Sequence, residues 1–449
     1  MAEDLTKGSV LKAISTFSLP YLLAYFLQTF YGTVDLFIVG LFSTTASITA
    51  VATGSQVMHM ITVVIVGLAM GSTVMIAQTV GSSDSKNRSV YIGNTATLFL
   101  MFSLLLCVLL LVLTDPIVRL MQVPTEAVEG TFYYLVVCFV GIPFITAYNV
   151  IAALFRGLGD TKTPLYFVAI ACVINIGLDF LFVGAFNGGA TGAAIATIIS
   201  QALSVGIALI AIWKKALLPS VKRKDFRPQK QHMKNILKVG TPLSLQDGFI
   251  QIAFLCITVF ANMRGLDDAA AVGIVEKIIC LLFLVPSTLL STMSAVGAQN
   301  IGAGNHNRVN KTFSYCMTIV IVYGFGIAIA VQFCAAGLIS LFSPDPHVVE
   351  LGAQYLQGYV WDTGIAGIHF IFSGYFTAYG WSIISFIHNS ISIVCARVPL
   401  SYLASVTFLD TLWPMGFAVP VGSSVSVFIC LGIFIWLRKH PEKLGEIHD

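Results

Sequence analysis

Apolar runs of about 20 residues, the length needed to cross a hydrocarbon core of about 30 Å, follow one another along this chain with short polar joints between them. Twelve such runs are counted, starting near Lys12, Ser47, Tyr91, Glu129, Pro164, Gly188, Lys238, Asp268, Lys311, Val348, Ile383 and Pro414. In lipid each backbone N–H and C=O must find its partner inside the protein, so runs of this kind fold as helices. The expected fold class is therefore an all-α polytopic membrane protein with twelve transmembrane helices. Composition agrees: 10% of the residues are charged and 57% hydrophobic, against roughly 25% charged in a soluble domain.

The few charges are placed asymmetrically. Of 24 Lys and Arg, Arg119 and Arg264 flank one side, Lys277 and Arg397 fall inside spans, and the remaining 20 sit at the termini and in alternate loops. Nine of these lie between Lys214 and Lys238. By the positive-inside rule both termini and that loop face the cytoplasm, and an even number of spans agrees. The net charge of +3 then reflects topology and gives no reason to expect a nucleic-acid partner. Nine cysteines all lie in apolar stretches without a Cys-x-x-Cys pair, and they read as small core residues rather than disulfides or metal ligands. Lys7 and Lys12 precede an apolar run too long for a signal peptide, so that run is retained as the first span.

The chain repeats itself. Ala77-Gln-Thr-Val-Gly81 returns as Ala298-Gln-Asn-Ile-Gly302, and Phe155-x-x-x-Gly159 as Phe376-x-x-x-Gly380, each shifted by 221 positions; Pro20 and Pro242 are 222 apart. The expected organisation is an N-lobe over 1–213, a basic cytoplasmic linker over 214–237 and a C-lobe over 238–449. Six spans per unit keep both lobes in the same orientation, a parallel repeat with its axis along the membrane normal. Pro20, Pro143, Pro242, Pro286, Pro399 and Pro420 fall in spans, where each removes a donor and can kink a helix. Pro20 shares its helix with an acid and is the candidate hinge.

That acid is Asp35. A carboxylate in an apolar span costs several kcal/mol, so it marks a function. Gln28, Tyr31 and Asp35 recur at spacings of three and four and share one helix face. Asn175 and Asp179 form a second stripe, and Thr197 and Ser200 offer hydroxyls in the next span. If the three helices meet, Asp35 and Asp179 share a polar pocket in which both cannot ionise cheaply, the arrangement of a proton or cation site.

Pro20 with Tyr31-Gly-Thr-Val-Asp35-Leu-Phe-Ile-Val-Gly40, Ala77-Gln78-x-x-Gly81, Phe155-Arg-Gly-Leu-Gly-Asp160-Thr-Lys-Thr-Pro164, Asn175-Ile-Gly-Leu-Asp179 and Gly192-Ala-Ala-Ile-Ala-Thr197 together resemble the multidrug and toxic compound extrusion (MATE) family. The resemblance implies two six-helix lobes, alternating access, and export of organic, often cationic, drugs or metabolites against inward H⁺, which is favoured, or Na⁺. It places Asp35, Asn175, Asp179 and Thr197 in the N-lobe ion network, with Asp35 and Asp179 the place for Na⁺, and Gln28 and Tyr31 at the substrate cavity. Where the NorM-like branch carries acids in the seventh and tenth helices, this chain has Ile250 and Ala366, which points to the DinF-like branch. It further implies a monomer in a bacterial plasma membrane, working on small organic substrates with no cofactor beyond the coupling ion.

The second half has its own ionisable residues. Glu276, Asp362, His369 and Arg397 are secondary candidates, with Arg397 expected to neutralise Glu276 or Asp362. His59, His369 and His388 read as core histidines. A lipid-linked-saccharide flippase is the alternative function and would need cavity cations, for which only Lys277 and Arg397 qualify. No His-Glu-x-x-His or Gly-x-Ser-x-Gly motif falls in a span, so an enzyme is not expected. Arg156-Gly-Leu-Gly-Asp160 lacks Gly-Lys-Ser/Thr and follows no strand; it reads as a tight turn.

Overall fold

The computed structural model describes residues 4–215 and 221–440, so part of the expected linker and the last nine residues lie outside the described residues. The first half forms α1 (Val10–Phe42), α2 (Thr45–Gly81), α3 (Ser85–Val112), the short α4 (Thr114–Leu120), α5 (Thr125–Val140), α6 (Ile142–Gly157), α7 (Lys162–Asp179) and α8 (Gly189–Lys215). The second forms α9 (Lys230–Arg264), α10 (Leu266–Leu282), α11 (Leu284–Gly302), α12 (His306–Ser340), α13 (Pro346–Tyr359), α14 (Asp362–Ala378), α15 (Ser382–Ser392), α16 (Val398–Thr407) and α17 (Trp413–Lys439). Among the described residues ten helical stretches are long and apolar enough to span a membrane, eleven if the bent pair α5–α6 is one span. The twelfth expected span, near Val348, corresponds to α13 and α14, which are not among those stretches; α13 carries Gln354 and Gln357.

Breaks follow sequence chemistry. Pro143 was expected inside a span, yet it stands in the first turn of α6, just after the joint at Gly141 where α5 and α6 bend by 52°. There the missing N–H costs nothing, since first-turn donors have no helical partner. Pro399 instead follows the π-helical segment Ile393–Arg397 directly, inside the continuous stretch Ser382–Thr407. Pro20, Pro242 and Pro420 are interior to α1, α9 and α17. At the Arg156–Asp160 turn, Gly159 takes φ +86, a left-handed conformation that suits glycine.

Two compact units result among the described residues, one of residue 4, 19–215 and 221–240, the other of 5–18 and 241–440. In the first, α5, α2 and α8 surround a core that includes Val51, Leu135, Phe139 and Ala194. The stretch after residue 220 is no loose linker in this unit. Asn94 donates to the Asp225 carbonyl at 3.1 Å and accepts from the Gln229 N–H at 2.7 Å, while Thr97 donates to the Phe226 carbonyl at 2.7 Å. Helix α9 accordingly starts at Lys230 rather than Lys238. Its first turns press on α2 so closely that a Cβ on Gly71 would overlap the Ile236 carbonyl, and one on Gly240 the Leu68 carbonyl.

In the second unit, α10, α13 and α17 enclose a core around Val275, Tyr355 and Val419. Residues 5–18 belong here. Arg308 donates to the carbonyls of Gly8 at 2.6 Å, Lys7 at 2.7 Å and Leu5 at 3.3 Å, and Leu5 and Phe17 bury themselves against Ala295 and Val296. Each unit thus contains the opening turns of the long helix whose remainder lies in the other, and the changeovers fall within two residues of Pro20 and Pro242.

Candidate functional site

Helices α1, α7 and α8 meet in the first unit and bring the polar stripes together. Asp35 is 6% exposed, Asn175 1% and Asp179 0%. The amide of Asn175 donates to the Thr197 hydroxyl at 3.5 Å, and that hydroxyl donates to Asp35 Oδ2 at 3.0 Å. The relay runs one way and spends the only proton Thr197 has. Ser200 takes no part, since its hydroxyl donates to the Thr197 carbonyl at 2.8 Å.

Asp35 and Asp179 are both buried and lie within electrostatic reach of each other. Among the described residues, Asp35 Oδ1, both oxygens of Asp179 and Asn175 Oδ1 receive no hydrogen bond from any donor. Four buried acceptors without a donor cost of the order of 1–3 kcal/mol each, more where charged. No protein group fills the need; a proton or small cation would. Asp179 also ends the regular helix: the next turn, Phe180–Ala185, is π-helical, a local widening often found at functional positions. Among the described residues no group of three or more His, Cys, Asp or Glu could hold a metal ion.

Tyr31 is half-buried one turn before Asp35, its hydroxyl accepting from the Gln201 side-chain amide at 3.2 Å. Gln201 escaped sequence reasoning, because a single glutamine gives no sign of which way its helix faces. Gln28 is half-buried on the same helix.

In the second unit Arg397 makes no direct ion pair with either acid. Arg397 and Asp362 are buried, but no Arg397 nitrogen comes within 4.0 Å of an Asp362 or Glu276 oxygen. Arg397 instead donates to the Tyr359 hydroxyl at 2.7 Å, with its guanidinium carbon 5.1 Å from the centre of the Phe254 ring. It closes a second π-helical segment, Ile393–Arg397, which swings it towards α9 and α13. Glu276 lies 3.3 and 3.4 Å from the Thr258 hydroxyl. Of the histidines, His388 is a saturated core residue, held at 3.0 Å by Ser373 and 3.1 Å by Ser426. His369 is buried 5.5 Å from it, ring centre to ring centre, with Nδ1 lacking a partner, and His59 is exposed on α2.

The chain and its fold have known relatives. The chain is 30% identical to the probable multidrug resistance protein YpnP of Bacillus subtilis over 97% of both chains. It is 24% identical to the multidrug export protein MepA of Staphylococcus haemolyticus over 98% of both. Its fold superimposes with a TM-score of 0.89 on a MOP superfamily transporter from Pyrococcus furiosus, at 22% identity and 98% coverage of each chain. The MatE family pattern matches twice, at 20–181 and 242–403, starting at Pro20 and Pro242. With both repeats matched and a relative similar along its whole length, this chain belongs to the MatE family of membrane transporters.

Proposed function

We propose that this protein exports organic, often cationic, compounds in exchange for inward H⁺, and that the Asp35–Asp179 pair is where the proton rides. The observation that supports this is a pair of buried acids, Asp35 and Asp179, among acceptors that no donor of the described residues satisfies. Asn175 and Thr197 hold Asp35 in place, Gln28 and Tyr31 meet substrate from the same helix face, and Pro20 is the hinge at which α1 bends. Export of multiple drugs is supported by the relatives YpnP and MepA, and Ile250 and Ala366 favour the DinF-like branch. The protein works as a monomer in a bacterial plasma membrane with both termini in the cytoplasm, the side on which Lys and Arg concentrate.

An ion drives transport only by binding two conformations unequally. Here the proton would release Asp35 from its network, loosen α1 from α7 and α8, and displace substrate. The deciding experiment is efflux of a fluorescent organic cation from proteoliposomes with a pH gradient or a Na⁺ gradient imposed alone. Transport under the pH gradient is expected. Transport under Na⁺ only would overturn proton coupling.

A further inference from the structure

We propose that Arg397 is a tethered cation: its guanidinium supplies, in the second unit, the positive charge near Asp362 and Glu276 that a bound monovalent cation would otherwise supply. The second unit then exchanges no ion of its own during turnover. This goes beyond the proton reading of the first unit and stands whether or not Asp35 and Asp179 couple transport.

The two units solve one problem differently. The first buries two acids with no base beside them, so their counter-charge must come from outside. Shifted by the repeat offset of 221, Asp35, Asn175, Asp179 and Thr197 fall on Cys256, Ala396, Leu400 and Ala418. The second unit therefore has no copy of that acid network. It has instead an arginine one position beyond the counterpart of Asn175, at the end of its own π-helical turn.

The site around this arginine is built. Its backbone is pinned by α17, where a Cβ on Gly422 would come within 2.7 Å of the Arg397 Cβ and 2.8 Å of its Cα. Ser392, one turn earlier, donates to the Gly422 carbonyl at 2.6 Å. Phe254 and Thr258, one turn apart on α9, carry the two sides of the cluster, with the guanidinium stacked on the phenyl ring and Glu276 at the hydroxyl. Arg397 lies within electrostatic reach of both Asp362 and Glu276.

What marks the arginine as a resident cation, rather than half of a locked salt bridge, is the slack. A locked pair shows a bidentate or at least direct contact that satisfies both partners. Here Arg397 Nε and both oxygens of Asp362 lack any hydrogen-bond partner while buried. The guanidinium is parked on a neutral phenol, near two acids and bonded to neither. A charge left without its partner in such surroundings is costly, so removing the guanidinium should leave a vacancy that recruits a cation from solution.

The test uses full-length protein in detergent at pH 8 and equilibrium binding of ²²Na⁺. Arg397→Met, similar in volume and uncharged, is expected to bind one more Na⁺ per chain than wild type. Methylguanidinium, which mimics the missing head group, should displace that extra ion. The gain should vanish when Asp362→Asn and Glu276→Gln are added. Arg397→Gln, which keeps a donor for Tyr359, serves the same comparison if the methionine variant does not fold. Wild-type Na⁺ stoichiometry in the folded variant would overturn the proposal, as would an extra site that ignores methylguanidinium or survives loss of both acids.

Discussion

Replacing Asp35 with asparagine separates shape from charge at the proposed proton site. Asparagine keeps an oxygen that can accept from the Thr197 hydroxyl, now at 3.0 Å, but it cannot gain or lose a proton. On the proposed mechanism the Asp35–Asp179 pair holds a proton when substrate is absent and releases it when a cationic substrate binds. Binding that expels one proton weakens tenfold for each unit of falling pH, about 1.4 kcal/mol per unit. A transporter needs a coupling of ~3 kcal/mol, so the slope must persist over about two units and change affinity roughly 100-fold. The assay is dissociation constant against pH for one fluorescent substrate, in detergent, with no gradient present. Asp35→Asn should bind with an affinity nearly independent of pH and should fail to transport against a gradient. Retention of the full slope in Asp35→Asn would refute the reasoning and show that the proton is carried by a group other than Asp35.

Pro20→Ala restores the N–H that pairs with the Thr16 carbonyl and favours a straight α1 by up to about 3 kcal/mol; turnover in proteoliposomes should fall while substrate affinity in detergent stays close to wild type. Gly240→Val forces a branched side chain against the Leu68 backbone, a strain of about 1–3 kcal/mol or more that should lower the melting temperature in detergent; an unchanged melting temperature would show that the contact is not close in solution. Single cysteines at Lys224 and Pro344, in a background with native thiols replaced, should react with impermeant maleimide from opposite faces of the membrane, and labelling of both from outside intact cells would reverse the orientation.

The acids of the first unit were legible in the sequence because a carboxylate in an apolar run has few innocent explanations, and helix periodicity then put Gln28, Tyr31 and Asp35 on one face. The joining of α1, α7 and α8 followed from the family resemblance rather than from spacing. Other features left no trace. A π-helical turn inserts one residue without disturbing an all-apolar pattern, so neither Phe180–Ala185 nor Ile393–Arg397 could be seen. Gln201 looked like any helix-surface amide. The direct partner of Arg397, the Tyr359 hydroxyl, could not be seen, because a tyrosine in an apolar run gives no sign of what it holds. Charge density marked the stretch around 221–229 as solvated linker. Its backbone is nonetheless captured by Asn94 and Thr97, whose short side chains sit in an apolar context that hides their purpose.

The changeovers near Pro20 and Pro242 bear on how such a chain arises by duplication. The first unit is completed by residues up to 240, which follow its own six spans, and the second by residues 5–18, from the far end of the chain. A single six-span repeat, folded alone, would have to leave vacant the groove that receives such opening turns, and would have opening turns with nowhere to dock. Two copies could satisfy both needs at once by trading these segments, as domain-swapped dimers do. Fusing the copies through a short basic joint would then make permanent an exchange that began between separate molecules. On this view, cutting the chain within 216–220 and expressing the pieces together should restore transport, whereas neither piece alone holds the segments that complete a unit.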